Sequence, residues 1–162
     1  MIRKYIKLSN GMKAIIDAED WNRIKHITWG YGYGCAKKTG YPQYVGGRPK
    51  NSSQVLLHRF IMDTPQGLHT DHINGNHLDN RKSNLRICTP AQNAMNSRKH
   101  IIQSSKYKGV SWYKRDKCWR AYVNLGQRQI HIGYFTTEIE AAKAYNKKAK
   151  EVHKEFAYLN VI

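Results

Sequence analysis

The sequence predicts an α+β protein made of three segments with different patterns. The N-terminal segment is rich in strand signals, the middle segment has the pattern of strand, loop, strand and helix, and the C-terminal segment that of three strands and one helix. The 162-residue chain is 40% hydrophobic and 11% aromatic, which is too much core material for a disordered basic arm. We therefore expect folded units.

The charge of the chain is the second compositional signal. A net charge of +17 predicts a polyanionic partner, for which nucleic acid is the default candidate. Residues 1–96 hold 14 basic and 6 acidic residues, and residues 97–162 hold 14 and 5, so the two parts carry +8 and +9. Because both parts share the excess, we expect a contact surface for nucleic acid along the whole molecule.

Hydropathy and cysteine usage argue against membrane and secreted classes. No apolar run approaches the ~18–20 residues of a membrane span, and the first four residues do not open a signal peptide. Cys35, Cys88 and Cys118 form no C-x-x-C pair, which argues against a disulfide scaffold and a cysteine zinc ribbon. We expect three semi-buried thiols in a reducing, cytoplasmic setting.

The N-terminal segment carries short-range strand and turn signals. Tyr5–Ser9 and Met12–Ile16 flank Asn10-Gly11, the strongest short signal for a β-hairpin. Asp17–Asp20 predicts the cap and the acidic first turn of a short helix. The alternation of glycine and aromatic residues in Trp29–Gly34 favours a strand that packs in a sheet over one that contacts DNA.

Two polar stretches divide the chain. Residues 46–53 have the Gly, Pro and Ser content of a loop, and residues 100–106 form a second polar break. Between them, Val55–Met62 is an apolar run too short to be assigned to helix or strand by its period. The predicted organisation is a β-rich unit at 1–52, a middle domain at 53–99, a linker at 100–106 and a C-terminal domain at 107–162.

Residues 69–96 are dense in side chains that suit phosphodiester chemistry. Asp71-His72 places a carboxylate, which a hard cation prefers, beside an imidazole that can accept a proton from water near neutral pH. Thr89-Pro90-Ala91-Gln92 predicts the start of a helix that presents Asn93. A strand, loop, strand and helix around one ion would form a nuclease site.

Structural alternatives exist for the same side chains. Asparagine-rich loops often form Asx-turns in which the amide binds backbone rather than metal. His69 and His72 have a spacing that zinc could use, but a solvent-facing loop histidine is several times commoner without further ligands. We interpret His69 in that second way.

Four stretches of the middle segment resemble HNH homing endonucleases of the phage and intron-encoded type. The stretches are His58-Arg59, Thr70–Asn76, Asn80–Arg86 and Gln92-Asn93. The intervals match this branch, with 12 residues from His72 to Asn84 and 9 from Asn84 to Asn93.

This resemblance implies a ββα-metal active site and a role for each matching residue. Asp71 and Asn93 would be metal ligands, His72 the general base, and Asn84 the residue that orients His72. One Mg²⁺ or Mn²⁺ ion would occupy each site. His58 would support the site, and Arg59 would contact phosphate.

The C-terminal segment predicts a sheet covered by a helix. Ser111–Tyr113, Trp119–Val123 and Ile130–Phe135 are rich in β-branched and aromatic residues. Thr137-x-x-Glu140 is a capping box. The residues that recur with helical spacing, and so predict the buried helix face, are Ile139, Ala142, Tyr145, Ala149 and Val152.

This segment resembles the DNA-binding domain of plant ethylene-response factors of the APETALA type. The resemblance rests on Tyr107–Val110, Ile132-Gly133-x-Phe135, Glu140–Tyr145 and Ala157-x-Leu159-Asn160. It implies that the sheet lies in the major groove of DNA. The implied reading face, which differs from that of the plant domains, comprises Lys108, Ser111, Tyr113, Arg120, Tyr122, Asn124, Gln129 and His131. As an alternative, Tyr113 and Tyr122 could simply pack.

The sequence thus favours a two-part, sequence-directed DNA endonuclease of the HNH homing type that acts on double-stranded DNA. One metal site per chain would cut one strand, so a monomer would nick and a homodimer could cut both strands. The alternative is a non-catalytic DNA-binding regulator with a decayed nuclease fold. An RNA-cleaving protein is a third possibility, although the chain has no RNA-recognition motif.

Overall fold

The computed structural model describes residues 2–33, 40–44, 55–97 and 104–162. The chain divides into two compact units, Met1–Thr89 and Pro90–Ile162, which we call unit 1 and unit 2. Each unit contains both strands and helices, which confirms the predicted α+β class.

Unit 1 begins with the predicted hairpin. Strands β1 (Arg3–Lys7) and β2 (Lys13–Asp17) pair antiparallel. Gly11 adopts a φ of +85°, a conformation that glycine reaches without steric cost and that explains its place in the turn. The Asn10-Gly11 signal is therefore confirmed.

The acidic turn after β2 differs from the prediction. A 3₁₀ turn at Ala18–Asp20 leads into a four-residue helix, α1 (Trp21–Ile24). Asp17 occupies the N-cap position of this turn, as predicted, but its side chain makes no cap hydrogen bond. Its carboxylate instead accepts a hydrogen bond from the backbone N–H of Lys82 at 2.8 Å, because folding brings a distant loop to this turn.

A second hairpin follows, and the middle segment comes next. β3 (Trp29–Tyr33) pairs antiparallel with β4 (Gly40–Tyr44), in agreement with the predicted strand at Trp29. The apolar run that the pattern left unassigned forms the short helix α2 (Leu57–Ile61). The predicted loop at 46–53 lies outside the described residues. The remaining elements of unit 1 are β5 (His69–His72), a 3₁₀ turn (Lys82–Asn84) and β6 (Leu85–Cys88).

The N-terminal hairpin and the middle segment share one hydrophobic core. Its buried members are Ile6, Leu8, Ala14, Ile16, Ile24, Trp29, Leu57, Ile61 and Leu85. The backbone of Ile15 also donates to the carbonyl of Leu78 at 2.7 Å and accepts from the N–H of Asn80 at 2.8 Å. Strand β2 therefore holds the loop that precedes the 3₁₀ turn at Lys82–Asn84. The predicted boundary at residues 52 and 53 lies outside the described residues and stays a prediction.

Unit 2 contains a short helix, a three-stranded sheet and a long helix. The sheet has the antiparallel order β7-β8-β9. Pro90 is the first residue of its helix, as the sequence predicts. The predicted linker lies outside the described residues except for 104–106. The elements are α3 (Pro90–Asn96), β7 (Val110–Tyr113), β8 (Cys118–Leu125), β9 (Arg128–Phe135) and α4 (Glu138–His153).

Helix α4 begins at the predicted capping box, which both side-chain hydrogen bonds of Thr137 and Glu140 confirm. Three predicted positions of the buried face, Ala142, Tyr145 and Ala149, are buried, whereas Val152 is only partly buried. Ile139 was predicted wrongly and is 49% exposed. At 100° per residue it lies roughly 100° from the centre of the buried face. Ala141 and His153 are buried there instead.

Two close contacts tie the start of β7 to the rest of unit 2. Gly109 has a φ of +72°, and a side chain there would lie 2.1 Å from the Tyr145 ring. The Asn160 side chain accepts from the backbone N–H of Lys108 at 2.7 Å and donates to the Lys108 carbonyl at 3.0 Å. These contacts explain the glycine at position 109 and the asparagine at position 160.

None of the helices in the described part of the chain combines the length and the apolar character that a bilayer crossing requires. Cys88 is a buried free thiol and Cys118 a partly buried one, as predicted for both. Cys35 lies outside the described residues.

Candidate functional site

The β5–β6 hairpin of unit 1 buries a carboxylate next to an imidazole. Asp71 is 7% exposed and His72 is 3% exposed. Asp71 lies opposite Arg86 in the register of the two strands. Its Oδ2 accepts hydrogen bonds from Arg86 Nη2 at 2.6 Å and Nε at 2.9 Å, an ion pair that compensates the buried negative charge.

The His72 ring has defined partners on the side of the following loop. Its Nε2 lies 3.3 Å from Oδ1 of Asn80, whose side chain is buried. Burial lowers the pKa of His72 to about 4, so the imidazole is neutral at pH 7. A neutral imidazole has one nitrogen that can accept a proton.

Asn84, predicted to orient His72, shapes the loop that connects the two strands. Its Oδ1 accepts from the backbone N–H of Asn74 at 3.1 Å, and its Nδ2 donates to the carbonyl of Asp79 at 2.8 Å. Among the described contacts, the side chain of Asn84 therefore binds loop backbone and not the imidazole. Any effect on His72 passes through the loop.

The same loop contains two of the Asx-turns that the sequence left open. Oδ1 of Asn74 accepts from the N–H of Asn76 at 2.8 Å, and Oδ1 of Asn76 accepts from the N–H of Leu78 at 3.1 Å. These two asparagines have a structural role in the loop.

Three further rings surround His72 in unit 1. The His58 ring meets the His72 ring edge-on at 4.9 Å between centroids, and the His77 ring lies at 5.4 Å. Tyr41 stacks on His77 at 4.0 Å. Burial, followed by the nearby His72 and His77 imidazoles, lowers the pKa of His58 to about 3. His58 thus packs against His72 as a neutral ring, and its supporting role stays a prediction.

Sequence reasoning missed Tyr41 and assigned no role to His77. Strand β4 carries Tyr41, and the backbone carbonyl of Gly40 on the same strand accepts from Nδ1 of His77 at 3.2 Å. A carbonyl only accepts, so His77 carries a proton on Nδ1. No local pattern predicts this contact, because 37 residues separate its two partners.

The predicted second metal ligand lies in unit 2. Asn93 belongs to α3 and is partly buried. Its joint role with Asp71 stays a prediction. Among the residues that the structure describes, no group of three His, Cys, Asp or Glu side chains could hold a metal ion. His69 is exposed, which agrees with the structural interpretation of this histidine.

Most of the predicted reading face lies together on one side of the unit 2 sheet. The strand register places Ser111 beside Arg120, Tyr122 beside His131, and Asn124 beside Gln129. The helix-facing side carries the buried Val110, Ala121 and Val123. Tyr113 belongs to the polar side by alternation along β7. The seven residues on this side are Ser111, Tyr113, Arg120, Tyr122, Asn124, Gln129 and His131.

The polar side of the sheet also contains an aromatic residue that the sequence did not single out. Tyr134 is 52% exposed and pairs with Arg120 across the strands. Its ring lies 5.6 Å from that of Tyr113 and 4.7 Å from that of His131. The Arg120 guanidinium lies over the Tyr113 and Tyr122 rings at 5.8 and 5.6 Å. The tyrosines therefore pack on this face and also line it.

Lys108, which is predicted to belong to the reading face, binds backbone carbonyls of unit 2 with its ammonium group. Its Nζ donates to the backbone carbonyls of Met95 and Ser97 at 2.6 and 2.7 Å. Burial lowers the pKa of Lys108 to about 8. The ammonium binds carbonyls at the end of α3 within its own unit, because its long side chain reaches back from the segment before β7.

Arg59, which is predicted to contact phosphate, has partners within its own unit. Its Nη1 donates to the carbonyl of Leu68 at 2.6 Å and its Nη2 to that of Pro65 at 3.3 Å. The guanidinium therefore fixes the segment that leads into β5. Its phosphate contact stays a prediction.

A basic chain with a buried carboxylate–imidazole pair has the features of a nuclease, and the comparisons with known proteins agree. The HNH endonuclease family model matches residues 63–95. An uncharacterized HNH endonuclease of Acanthamoeba polyphaga mimivirus is 33% identical over 158 residues, which cover 94% of this chain and 76% of the relative. The chain therefore belongs to the HNH endonuclease family. This membership supports a nuclease function and implies a DNA substrate.

Two shorter similarities cover parts of the chain. A prophage-derived protein of Bacillus subtilis, described as an HNH homing endonuclease, is 39% identical over 73 residues, covering 41% of this chain and 42% of the relative. APETALA2-like protein 2 of Oryza sativa is 44% identical over 48 residues, covering 28% of this chain and 11% of that protein. No solved structure is significantly similar to the chain.

Proposed function

We propose that this protein is a metal-dependent DNA endonuclease of the homing type that finds its site by sequence. The observation that carries the proposal is the buried Asp71–His72 pair within the segment matched by the HNH family model. The net charge of +17 supports binding of a polyanion. The similarity to a homing endonuclease of a prophage supports the homing type.

The donor set fits a hard divalent cation. Asp71 offers carboxylate oxygens and Asn93 an amide oxygen, the ligand types that Mg²⁺ and Mn²⁺ prefer. Magnesium sites of this kind use one or two protein oxygens and complete their shell with substrate phosphate and water. HNH nucleases generally use a divalent metal.

In this mechanism His72 accepts a proton from the attacking water. Its lowered pKa, about 4, keeps the ring in the proton-accepting form at neutral pH. Asn84 acts as a positioning residue, because its bonds to Asn74 and Asp79 hold the loop beside His72. When bound, the metal ion supplies positive charge that stabilises the departing 3′ oxygen.

Unit 2 would supply sequence recognition in this proposal. Its resemblance to a plant DNA-binding domain rests on the partial similarity to the rice protein and on the exposed polar side of the sheet. Asn124 and Gln129 carry amides that can pair bidentately with adenine. The contact of 3.4 Å between Gln129 Nε2 and Asn124 Oδ1 would align both amides before DNA binds.

One site per chain implies one cut per chain. A monomer would therefore nick double-stranded DNA, and a homodimer could cut both strands. A reducing, cytoplasmic location is the accompanying proposal from the cysteine pattern.

The test is a nicking assay on supercoiled plasmids that carry a library of inserts. We expect nicked circles with Mg²⁺ or Mn²⁺ and intact plasmid in EDTA. His72→Ala should abolish nicking, whereas His69→Ala, which changes an exposed histidine of the same strand, should retain it. Undiminished cutting in EDTA would contradict the metal-dependent mechanism. Tight DNA binding without nicking in any metal would favour a non-catalytic regulator.

A further inference from the structure

Asn80 is the most deeply buried polar side chain beside the proposed base. Its relative exposure is 0%, and its amide lies between two histidines of the same loop region. Its Nδ2 donates to the backbone carbonyl of His77 at 3.1 Å. Its Oδ1 lies 3.3 Å from Nε2 of His72.

These two contacts fix the direction of the amide. The carbonyl oxygen of His77 can only accept a hydrogen bond, so the amide nitrogen of Asn80 must face it. The amide oxygen then faces His72 and can also only accept. Nε2 of His72 must therefore carry a proton, and in the neutral ring the lone pair lies on Nδ1.

The backbone of Asn80 is anchored as well. Its N–H donates to the carbonyl of Ile15 at 2.8 Å, and Ile15 donates to the carbonyl of Leu78 at 2.7 Å. The preceding carbonyl, that of Asp79, accepts from Nδ2 of Asn84 at 2.8 Å. Strand β2 and Asn84 thus hold Asn80 from two sides. The backbone that carries the amide is therefore fixed beside His72.

We propose that Asn80 is a positioning residue that fixes the tautomer and the ring orientation of His72. This proposal rests on the proposed function for its catalytic consequence, namely that Nδ1 of His72 receives the proton of the water. It assigns to the N-terminal hairpin a part in the chemistry, because β2 holds Asn80 in place. Asn84 then acts on His72 through Asn80 and the loop.

The first test is independent of activity. ¹⁵N-histidine labelling of the full chain and two-bond ¹H–¹⁵N correlation at pH 7.5 report which nitrogen of each neutral ring carries the proton. We expect His72, assigned by the loss of its signals in His72→Gln, to be protonated on Nε2. A His72 ring protonated on Nδ1 would overturn the proposal without any variant of Asn80.

The second test removes only the polar atoms of the amide. Asn80→Leu has a similar shape and cannot accept from His72. We expect a mixture of tautomers, and a single-turnover cutting rate that falls by roughly 10–100-fold, the usual effect of losing an outer hydrogen-bond partner. DNA affinity should stay within about twofold, because Asn80 is buried. A folded Asn80→Leu protein with the wild-type tautomer and rate would overturn the proposal.

Asn80→Asp and Asn76→Ala separate positioning from loop stability. Asn80→Asp keeps an oxygen acceptor for Nε2–H but loses the donor to the His77 carbonyl, so it should restore the tautomer and only part of the rate. Asn76→Ala removes an Asx-turn of the same loop at an exposed position and should change neither the tautomer of His72 nor the cutting rate. A wild-type protein that cuts no DNA but shows these tautomer effects would contradict the proposed function and leave the positioning role intact. If Asn80→Asp folds but behaves as Asn80→Leu does, hydrogen-bond acceptance is not the cause.

Discussion

Unit 1 and unit 2 place their polar side chains in opposite ways. Most of the buried polar residues belong to unit 1, and several of them, including Asp71, His72 and Asn80, surround one hairpin. In unit 2 the core beneath the sheet is built from small and aromatic residues such as Ala142 and Tyr145, and the polar residues of the sheet face away from it. Desolvation changes the pKa of a buried group, whereas an exposed amide keeps its ordinary hydrogen-bonding capacity.

Two asparagine amides show the same contrast. The buried Asn84 of unit 1 binds backbone N–H and C=O groups of the loop that precedes it, and the partly buried Asn160 of unit 2 binds those of Lys108, 52 residues away. In unit 2 the Asn160 amide only ties the end of the chain to the segment before β7. In unit 1 the loop held in this way contains Asn80, whose amide meets an imidazole. The same type of hydrogen bond therefore serves the fold in one unit and, in our proposal, positions a base in the other.

The largest expected effect is a loss of DNA cutting by unit 1 that leaves DNA binding by unit 2 intact. His72→Ala should lower the single-turnover cutting rate by on the order of 10²–10⁴, the contribution of a positioned proton acceptor. Asp71→Ala should also abolish cutting. Both variants should retain most of their DNA affinity, measured by titration with the same duplex. A His72→Ala protein that cuts at the wild-type rate would show that another group activates the water.

The next effect concerns the stability of unit 1 in acid. Because the folded pKa of His58, about 3, lies below the ordinary 6.5, the unfolded chain binds this proton more tightly. Stability should therefore fall as the pH decreases from about 6.5, by on the order of 3 kcal/mol at pH 4. His58→Phe cannot titrate and should lose less on acidification, as measured by urea unfolding. His69→Ala, which changes an exposed histidine, is the control. An equal loss in the wild type and in His58→Phe would show that His58 does not cause the loss of stability in acid.

A smaller effect sharpens the role of the unit 2 sheet. Asn124→Ala and Gln129→Ala should each reduce discrimination between target and scrambled duplexes by ~1–3 kcal/mol per lost base pair contact. Lys114→Gln, at an exposed turn position, should weaken binding to both duplexes alike and lower the salt slope by about 1. Binding titrations at several salt concentrations measure both quantities. Uniform weakening by Asn124→Ala would mean that this face contacts phosphate only.

The smallest effect tests where unit 2 begins. A fragment that starts at Pro90 should be more stable than one that starts at Ser104 by about 1 kcal/mol, because Lys108 binds two carbonyls at the end of α3. Lys108→Met in the longer fragment should cancel most of this difference in thermal unfolding. Two fragments of equal stability would favour the shorter boundary near the predicted linker.

Local signals in the sequence predicted the elements well. The Asn10-Gly11 hairpin, the Thr137 capping box and the proline at the start of α3 depend on residues a few positions apart, so their chemistry is readable along the chain. Asp17 occupies the predicted cap position without a cap hydrogen bond, because the backbone N–H of Lys82, 65 residues away, binds its carboxylate instead. Ile139 was placed on the buried face because periodicity does not locate the edge of that face.

The sequence alone determined the order of strands and helices, the basic character of the chain and the Asp71-His72 pair with its spacing to Asn84 and Asn93. Tertiary structure decided which side chains meet. It placed Asn80 rather than Asn84 against His72, and it gave Arg59 and Lys108 partners within their own units. The physical reason is that these partners depend on how distant segments pack and on the path of each loop, which no local periodicity encodes.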